Sequence, residues 1–140
     1  MSTVELKVDD FEKTITDNPI VLVDFWAAWC GPCRQFAPVY DKLSEENPDI
    51  VFGKVDTDAE TELAAMAQIT SIPTLMAFRD GIAIFRQAGA LPAPALADLI
   101  TQIRAVDMDD VRAQIAAQEA GEAEVATDVA DAEADTKEAK

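Results

Sequence analysis

Up to about residue 106, runs of apolar residues alternate with stretches in which apolar residues recur every three or four positions. The run Ile20–Trp26 is apolar throughout except for Asp24, which predicts a strand buried on both faces. An Asp80–Gly81 pair separates two later apolar runs and is typical of a hairpin between antiparallel strands. Further strands are predicted at 50–56, 74–78 and 82–85, with a weaker one at 3–7.

Helical spacing fills the intervals between these strands. Thr57 is followed three residues later by Glu60, which predicts a capping box, and Pro38 predicts a kink inside the longest helix. Four helices are predicted. The first is capped by Asp9 and Asp10, the second runs from Pro32 to about Asn47, and the third runs from Thr57 to about Ala67. The fourth starts at Pro92 or Pro94 and carries apolar residues at helical spacing: Leu96, Leu99, Ile100 and Ile103. Strands that alternate with helices predict an α/β domain with a mixed sheet and helices on both faces.

Charge is divided unevenly and indicates where this domain ends. The chain of 140 residues has a formal net charge of −16, and half of that charge lies in residues 107–140, which contain no aromatic residue. We therefore predict a domain at 1–106 and an acidic tail at 107–140, with a short amphipathic helix from Asp109 to Gln118 and disorder beyond it. Because so acidic a surface repels phosphate backbones and anionic lipid, neither nucleic acid nor a membrane is an expected partner.

Residue usage narrows the chemistry to one pair of side chains. The chain has no histidine, which excludes Ser-His-Asp and Cys-His nucleophile systems and histidine metal sites. Its two cysteines, Cys30 and Cys33, are too few for a zinc site or a secreted disulfide scaffold, and Arg34 stands where c-type haem attachment needs histidine. Since the sequence has neither a signal-peptide pattern nor an apolar stretch of about 20 residues, we expect a cytoplasmic protein with a redox-active cysteine pair.

The cysteine pair lies where the strand Ile20–Trp26 gives way to the next helix. Free N–H groups and the positive end of the helix dipole stabilise a thiolate at a helix N-terminus, so Cys30 is the expected nucleophile. Cys33, one turn into the helix, is expected to be more buried and more protonated, which suits a thiol that resolves a mixed disulfide. Pro32 stiffens the loop, and the lack of histidine between the cysteines favours a reducing couple.

Several motifs occur together in the order and at the spacing of one family. They are Val21–Ala27, Trp29–Cys33, Ala37–Pro38, Val55–Asp56, Ile72–Thr74, Gly81 and Gly89. Over about residues 3–106 the chain resembles a thioredoxin of the bacterial type, extended by an acidic tail. The resemblance implies the thioredoxin fold, with a central five-stranded mixed sheet and four helices, and dithiol–disulfide exchange on client proteins. It also implies a monomer without bound cofactor that is re-reduced by a thioredoxin reductase drawing on NADPH.

The resemblance further implies roles for individual residues. Cys30 attacks the client disulfide, Cys33 resolves the mixed disulfide, and Asp24, with Lys54 beside it, helps to take the Cys33 proton. Pro73 is implied to be a cis-proline that faces the sulfurs. The implied client-binding surface consists of Trp29, Gly31, Pro32, Ile72, Pro73, Gly89 and Ala90.

The residues by themselves leave alternatives open. Asp24 also suits a solvent-facing position, although burial within its apolar run raises the pKa of an unpaired carboxyl group. Lys54 also suits an ordinary surface lysine, and Pro73 a simple turn before a strand. At the level of function, one alternative is an oxidase or isomerase in an oxidising compartment. Another is a binding subunit that uses this surface and the acidic tail for assembly.

Overall fold

The computed structural model describes residues 2–121 and divides into two units between Val106 and Asp107. The first unit contains the strands β1 (Thr3–Glu5), β2 (Ile20–Trp26), β3 (Val51–Asp56), β4 (Thr74–Arg79) and β5 (Ile82–Ala88). Its helices are α1 (Val8–Asp17), α2 (Gly31–Glu46), α3 (Thr61–Met66) and α4 (Ala93–Ala105). In the second unit a helix, α5, spans 108–121. No helix within residues 2–121 is both long and apolar enough to cross a membrane.

The five strands form one mixed sheet in the order β1-β3-β2-β4-β5. Strand β3 is parallel to β1 and β2, whereas β4 is antiparallel to both β2 and β5. The turn between β4 and β5 places Asp80 and Gly81 at positive φ, as the predicted hairpin requires. The predicted mixed sheet and its hairpin are therefore confirmed, and β2 lies at the centre of the sheet with α2 starting just beyond its C-terminal end.

Successive side chains of β2 point to opposite faces of the sheet, and each face carries its own core. Leu22 belongs to a cluster that includes Phe36 and Tyr40 from α2 and residues of α4. Val21, Val23 and Phe25 belong to a second cluster with residues of α1 and α3. Because β2 is covered on both faces, its sequence is apolar without alternation, as predicted. Asp24 falls on the Leu22 face, which is the face covered by α2.

The predicted capping box of the third helix is wrong. Helix α3 begins at Thr61, and its N-cap residue Glu60 makes no side-chain capping bond. The Thr57 hydroxyl instead donates to the Trp26 carbonyl at 3.0 Å. The carboxylate of Asp56 accepts the backbone N–H groups of Asp58 and Ala59. A turn stabilised by Asp56 therefore separates Thr57 from the start of the helix, and the Thr57 hydroxyl bonds to the sheet instead of capping α3.

Strand β5 is three residues longer than predicted, because it is an edge strand. Its pairing with β4 continues through Arg86 and Gln87 to Ala88, whereas the apolar run in the sequence ends at Phe85. A register shift between Ala77 and Phe78 leaves both Ile84 and Phe85 packed against the first core. An edge strand is half exposed, so polar residues continue it without breaking the pairing.

Helix α5 spans 108–121, where the sequence predicted Asp109–Gln118. The carboxylate of Asp107 accepts backbone N–H groups from Asp109 at 3.1 Å and from Asp110 at 3.2 Å, which satisfies the free donors of the first turn. The disorder predicted farther along the tail concerns residues outside the described part of the chain.

Close packing of β3 against the chain after β1 gives the first testable prediction. A Cβ added at Gly53 would lie 2.5 Å from Leu6 Cδ1 and 3.3 Å from the Leu22 carbonyl oxygen, and Leu6 is itself buried. We expect Gly53→Ala to lower the free energy of unfolding by about 1–3 kcal/mol, as overpacking does in a filled core. Urea unfolding measures this, with Gly31→Ala as control because a Cβ there meets nothing within 4 Å. Equal midpoints for Gly53→Ala and the unmodified chain would contradict the prediction.

Candidate active site

Helix α2 begins at the cysteine pair, and Cys30 is its N-cap residue. Cys30 and Cys33 form a disulfide, with their Cα atoms 5.2 Å apart. The backbone N–H of Cys33 points at Cys30 Sγ at 3.2 Å. In the reduced protein this N–H and the helix dipole favour the thiolate of Cys30 over its thiol. The predicted position of Cys30 at a helix N-terminus is confirmed.

The two sulfurs are nearly equally buried in the disulfide form. Cys30 is 4% exposed and Cys33 3%, so the prediction that Cys33 is distinctly more buried is wrong for this state. The reason is that bonded sulfurs cover each other and share the same neighbours, Ala27, Trp26 and Ile72. Exposure therefore does not decide which sulfur reacts first, and the distinction between them rests on the N-cap position.

A loop before β4 packs against the sulfurs. Its Ile72–Pro73 peptide bond is cis, as the resemblance implied. The Ile72 carbonyl oxygen lies 3.7 Å from Cys30 Sγ, close enough to accept the S–H of the reduced, protonated thiol. The Pro73 carbonyl accepts the Gly89 N–H at 2.8 Å, and Gly89 has φ +106°, a conformation that favours glycine. Gly89 thus lies beside the proline loop, and the exposed Ala90 is the next residue along the chain.

A groove runs beside Trp29. The Trp29 side chain is 68% exposed, and its Nε1 donates to the Asp58 carboxylate at 3.0 Å. The groove has a volume of about 310 Å³ and is lined by Trp29, Thr57, Ala64, Ile69, Thr70, Ser71 and Ile72. Sequence reasoning found Trp29 and Ile72 but missed the other five. For Ile69, Thr70 and Ser71 the one sequence signal is nearness to Ile72–Pro73. Thr57 and Ala64 are distant from that pair along the chain and carry no such signal.

Asp24 is buried rather than solvent-facing. It is 1% exposed, and within the described residues neither of its carboxylate oxygens has a hydrogen-bond partner. Burial raises the pKa of Asp24 to about 7, although the charge of Lys54 opposes this rise. Asp24 and Lys54 are register partners on the parallel strands β2 and β3, and Lys54 Nζ lies 5.0 Å from the centre of the Trp26 ring. A carboxyl group with this pKa exchanges protons readily at neutral pH.

Sulfurs held in this way exchange one disulfide for another, so the fold and the site define a dithiol–disulfide oxidoreductase. The family model named Thioredoxin matches residues 2–102. A Streptomyces coelicolor protein assigned as thioredoxin 2 is 60% identical over 119 residues, which cover 85% of this chain and 89% of the relative. The chain belongs to the thioredoxin family.

Solved structures agree with this assignment. Mitochondrial thioredoxin 3 from Saccharomyces cerevisiae, in its oxidised form, is 33% identical with a TM-score of 0.66, and the match covers 72% of this chain and 95% of that one. Plasmodium falciparum thioredoxin is 36% identical with a TM-score of 0.66, covering 70% and 96%. The expected thioredoxin fold is confirmed, and with Cys30–Cys33 in place the protein is a protein-disulfide reductase.

The family carries out this exchange with two sulfurs and no bound cofactor. Within residues 2–121, no group of three or more His, Cys, Asp or Glu side chains lies together so as to hold a metal ion. Asp24 and Lys54, to which the sequence also pointed, lie side by side on the central strands β2 and β3.

Proposed function

We propose that this protein is a general cytoplasmic reductant of protein disulfides that acts as a monomer and is re-reduced by thioredoxin reductase with electrons from NADPH. The observation that carries the proposal is the N-cap position of Cys30, with the Cys33 N–H at 3.2 Å from its sulfur. Gly31 and Pro32 separate the cysteines with no imidazole beside them, which supports a reducing couple over an oxidase or isomerase.

The exchange proceeds in two balanced steps. The Cys30 thiolate attacks one sulfur of the client disulfide, which forms a mixed disulfide and releases the other client sulfur as a thiolate. The Cys33 thiol then loses its proton and attacks Cys30 Sγ, which forms the Cys30–Cys33 bond and releases the second client thiolate. Two electrons pass to the client, and the reductase returns two electrons by reversing both steps.

Asp24 is proposed to take the Cys33 proton. It lies on the face of β2 that α2 covers, and α2 carries Cys33 in its first turn. With a pKa raised to about 7 by burial, its carboxylate is a base matched to neutral pH. Lys54 is proposed to limit this rise in the Asp24 pKa through its charge, so that part of Asp24 remains ionised and able to accept a proton.

The groove beside Trp29 is proposed to hold an extended segment of the client. Trp29 offers an exposed aromatic face on one side, and the loop that ends at Ile72 and Pro73 forms the other. Gly31, Pro32, Gly89 and Ala90 complete the proposed client-binding surface around the disulfide. Contact with several backbone segments suits a protein that accepts many clients, since it depends little on one client's side chains.

A coupled assay tests this function. We expect the full chain to support NADPH oxidation by thioredoxin reductase when insulin is the disulfide substrate, because the reductase and the client use the same two sulfurs in turn. The control is the double variant Cys30→Ser/Cys33→Ser, which keeps the groove and loses the sulfurs. NADPH oxidation at the level of this control would reject the proposed reductase, and an equilibrium with glutathione that favours the dithiol form would show an oxidant instead.

Residues 1–106 are proposed to form the catalytic domain. Residues 107–140 are proposed to form an acidic tail that adds negative charge and takes no part in disulfide exchange. The tail holds 11 acidic and 3 basic residues, a composition typical of a solvated segment. Because the match to the Streptomyces coelicolor protein covers 119 residues, it extends past Val106. The similarity therefore reaches into the first part of the tail, which supports a function for that part. The simplest function that we propose for it is to increase the solubility of the protein.

A further inference from the structure

We infer that Arg86 is a positioning residue for the client groove, an inference that rests on the proposed function of that groove. Arg86 lies in β5, opposite Met76 of β4, and Met76 packs against the core on the α3 side of the sheet. Side chains of such a pair share a face. The Arg86 guanidinium accordingly reaches α3, where Nη1 donates to the Ala67 carbonyl and Nη2 to the Gln68 carbonyl.

Helix α3 depends on this contact more than a longer helix would. It has six residues, all described, of which Leu63 alone is buried, and so short a helix is marginal without outside support. At its C-terminal end, the N–H groups of Gln68 and Ile69 bond back to the Ala65 and Ala64 carbonyls, at 3.0 and 2.9 Å. The two carbonyls just past the end of the helix, those of Ala67 and Gln68, accept from Arg86, and the charge of Arg86 also complements the helix dipole.

The carbonyls held by Arg86 stand at the start of one groove wall. Gln68 has φ +55°, which turns the chain from α3 into the segment 69–72 that lines the groove. The other end of this segment is also tied to β5, because the Gly89 N–H bonds to the Pro73 carbonyl at 2.8 Å. Strand β5 therefore fixes both ends of the wall, one through the Arg86 side chain and the other through a backbone bond.

Loss of Arg86 is expected to loosen the wall and leave the sulfurs in place. Binding an extended client would then require ordering of the segment 69–72, which weakens client binding. A small disulfide that needs no groove would not meet this cost. The signature of a positioning role is therefore a rise in KM for a protein client without a matching loss of rate on a small disulfide.

The chain supplies a matched control in Arg79. Its Nη1 donates to the Ile103 carbonyl at 2.7 Å and to the Arg104 carbonyl at 3.4 Å, so it caps the C-terminal end of α4 much as Arg86 caps α3. Arg79 lies at the far end of β4 from Thr74, roughly 17 Å along the strand from the proline loop. Its removal tests the loss of a helix cap away from the groove.

The experiment compares Arg86→Gln and Arg79→Gln in the full chain, with insulin as protein client and 5,5′-dithiobis(2-nitrobenzoate) as small disulfide. For Arg86→Gln we expect KM for insulin to rise about five- to tenfold, which is the size of one net hydrogen bond, with the small-disulfide rate within about twofold of the unmodified chain. Arg86→Lys, which keeps a donor and the charge, should recover part of the KM. Amide exchange should quicken at 67–72 in Arg86→Gln and not in Arg79→Gln.

Other outcomes separate failure of this inference from failure of the proposed function. If Trp29→Ala raises KM for insulin while Arg86→Gln leaves it unchanged, the groove binds clients and Arg86 does not position it. If neither variant changes that KM, the groove is not the client site, and the proposed role of the groove fails together with the inference. Equal losses on both substrates, or an equal rise in KM for Arg79→Gln, would show a general loss of stability. Should Arg86→Gln not fold, Arg86→Lys undergoes the same measurements, and an unchanged KM with unchanged exchange at 67–72 would overturn the inference.

Discussion

Cys30→Ser is expected to lower turnover of a protein disulfide by at least about 10³-fold, because a serine hydroxyl does not attack sulfur and the first bond is never formed. The measurement is insulin reduction driven by NADPH and thioredoxin reductase. The unfolding midpoint of the variant, compared with the reduced unmodified chain, serves as the control for folding. Multiple turnovers by Cys30→Ser at the ordinary rate would reject Cys30 as nucleophile.

Cys33→Ser is the companion variant and should behave differently. It keeps the nucleophile and loses the group that resolves the mixed disulfide, so client molecules should remain covalently attached to Cys30. A non-reducing gel after incubation with insulin should show this adduct, and dithiothreitol should reduce its mixed disulfide and release the client. Similar adducts on Cys30→Ser, or none on Cys33→Ser, would reverse the roles that we assign to the two sulfurs, which burial alone does not distinguish.

The second large effect concerns the stability of the oxidised protein as a function of pH. The Asp24 carboxyl group has a pKa of about 7 in the folded chain against an ordinary 3.8, so between these values the folded state holds a proton that the unfolded state has lost. Stability therefore falls as pH rises through this window, by roughly 4 kcal/mol at most, and stays flat above it. In Asp24→Asn this fall is absent.

Denaturant unfolding at pH 4.5 and pH 8.5 checks this expectation. The buried amide that the Asp24→Asn substitution introduces lowers the free energy of unfolding by an amount that does not depend on pH. The test is therefore whether the difference in free energy of unfolding between the variant and the unmodified chain changes between the two pH values. A constant difference across the range would show that Asp24 titrates normally. The same variant should slow resolution by Cys33 near neutral pH, and an unchanged rate–pH profile would remove Asp24 from the proton transfer.

Sequence patterns predicted the elements whose burial is one-sided or complete. Strand β2 is apolar at every position except Asp24 because helices cover both of its faces, and the leucine and isoleucine spacing of α4 follows from packing on one side. The capping box at Thr57 failed because α3 begins only at Thr61, after a turn in which the Thr57 hydroxyl donates to the Trp26 carbonyl of the neighbouring strand. Local spacing cannot show a hydrogen-bond partner that is distant along the chain.

The site was predicted to the extent that its chemistry depends on particular residue types. A cysteine pair before a helix and a lone aspartate in an apolar run are visible in the sequence, because disulfide exchange needs thiols and proton transfer needs a titratable side chain. The groove wall at Ile69–Ser71 and its support by Arg86 were not visible. They depend on backbone shape and on one guanidinium bonding to two carbonyls, and many residue types serve equally well in such places.

Both sulfurs belong to a single helical turn, and their Cα atoms stand 5.2 Å apart, a spacing that an ordinary helix already provides. Closing or opening the bond therefore requires little rearrangement of the sheet, and we expect the oxidised and reduced proteins to present nearly the same face. In the function that we propose, the electron donor and the client protein therefore dock on that one face by turns, and each excludes the other while it is bound.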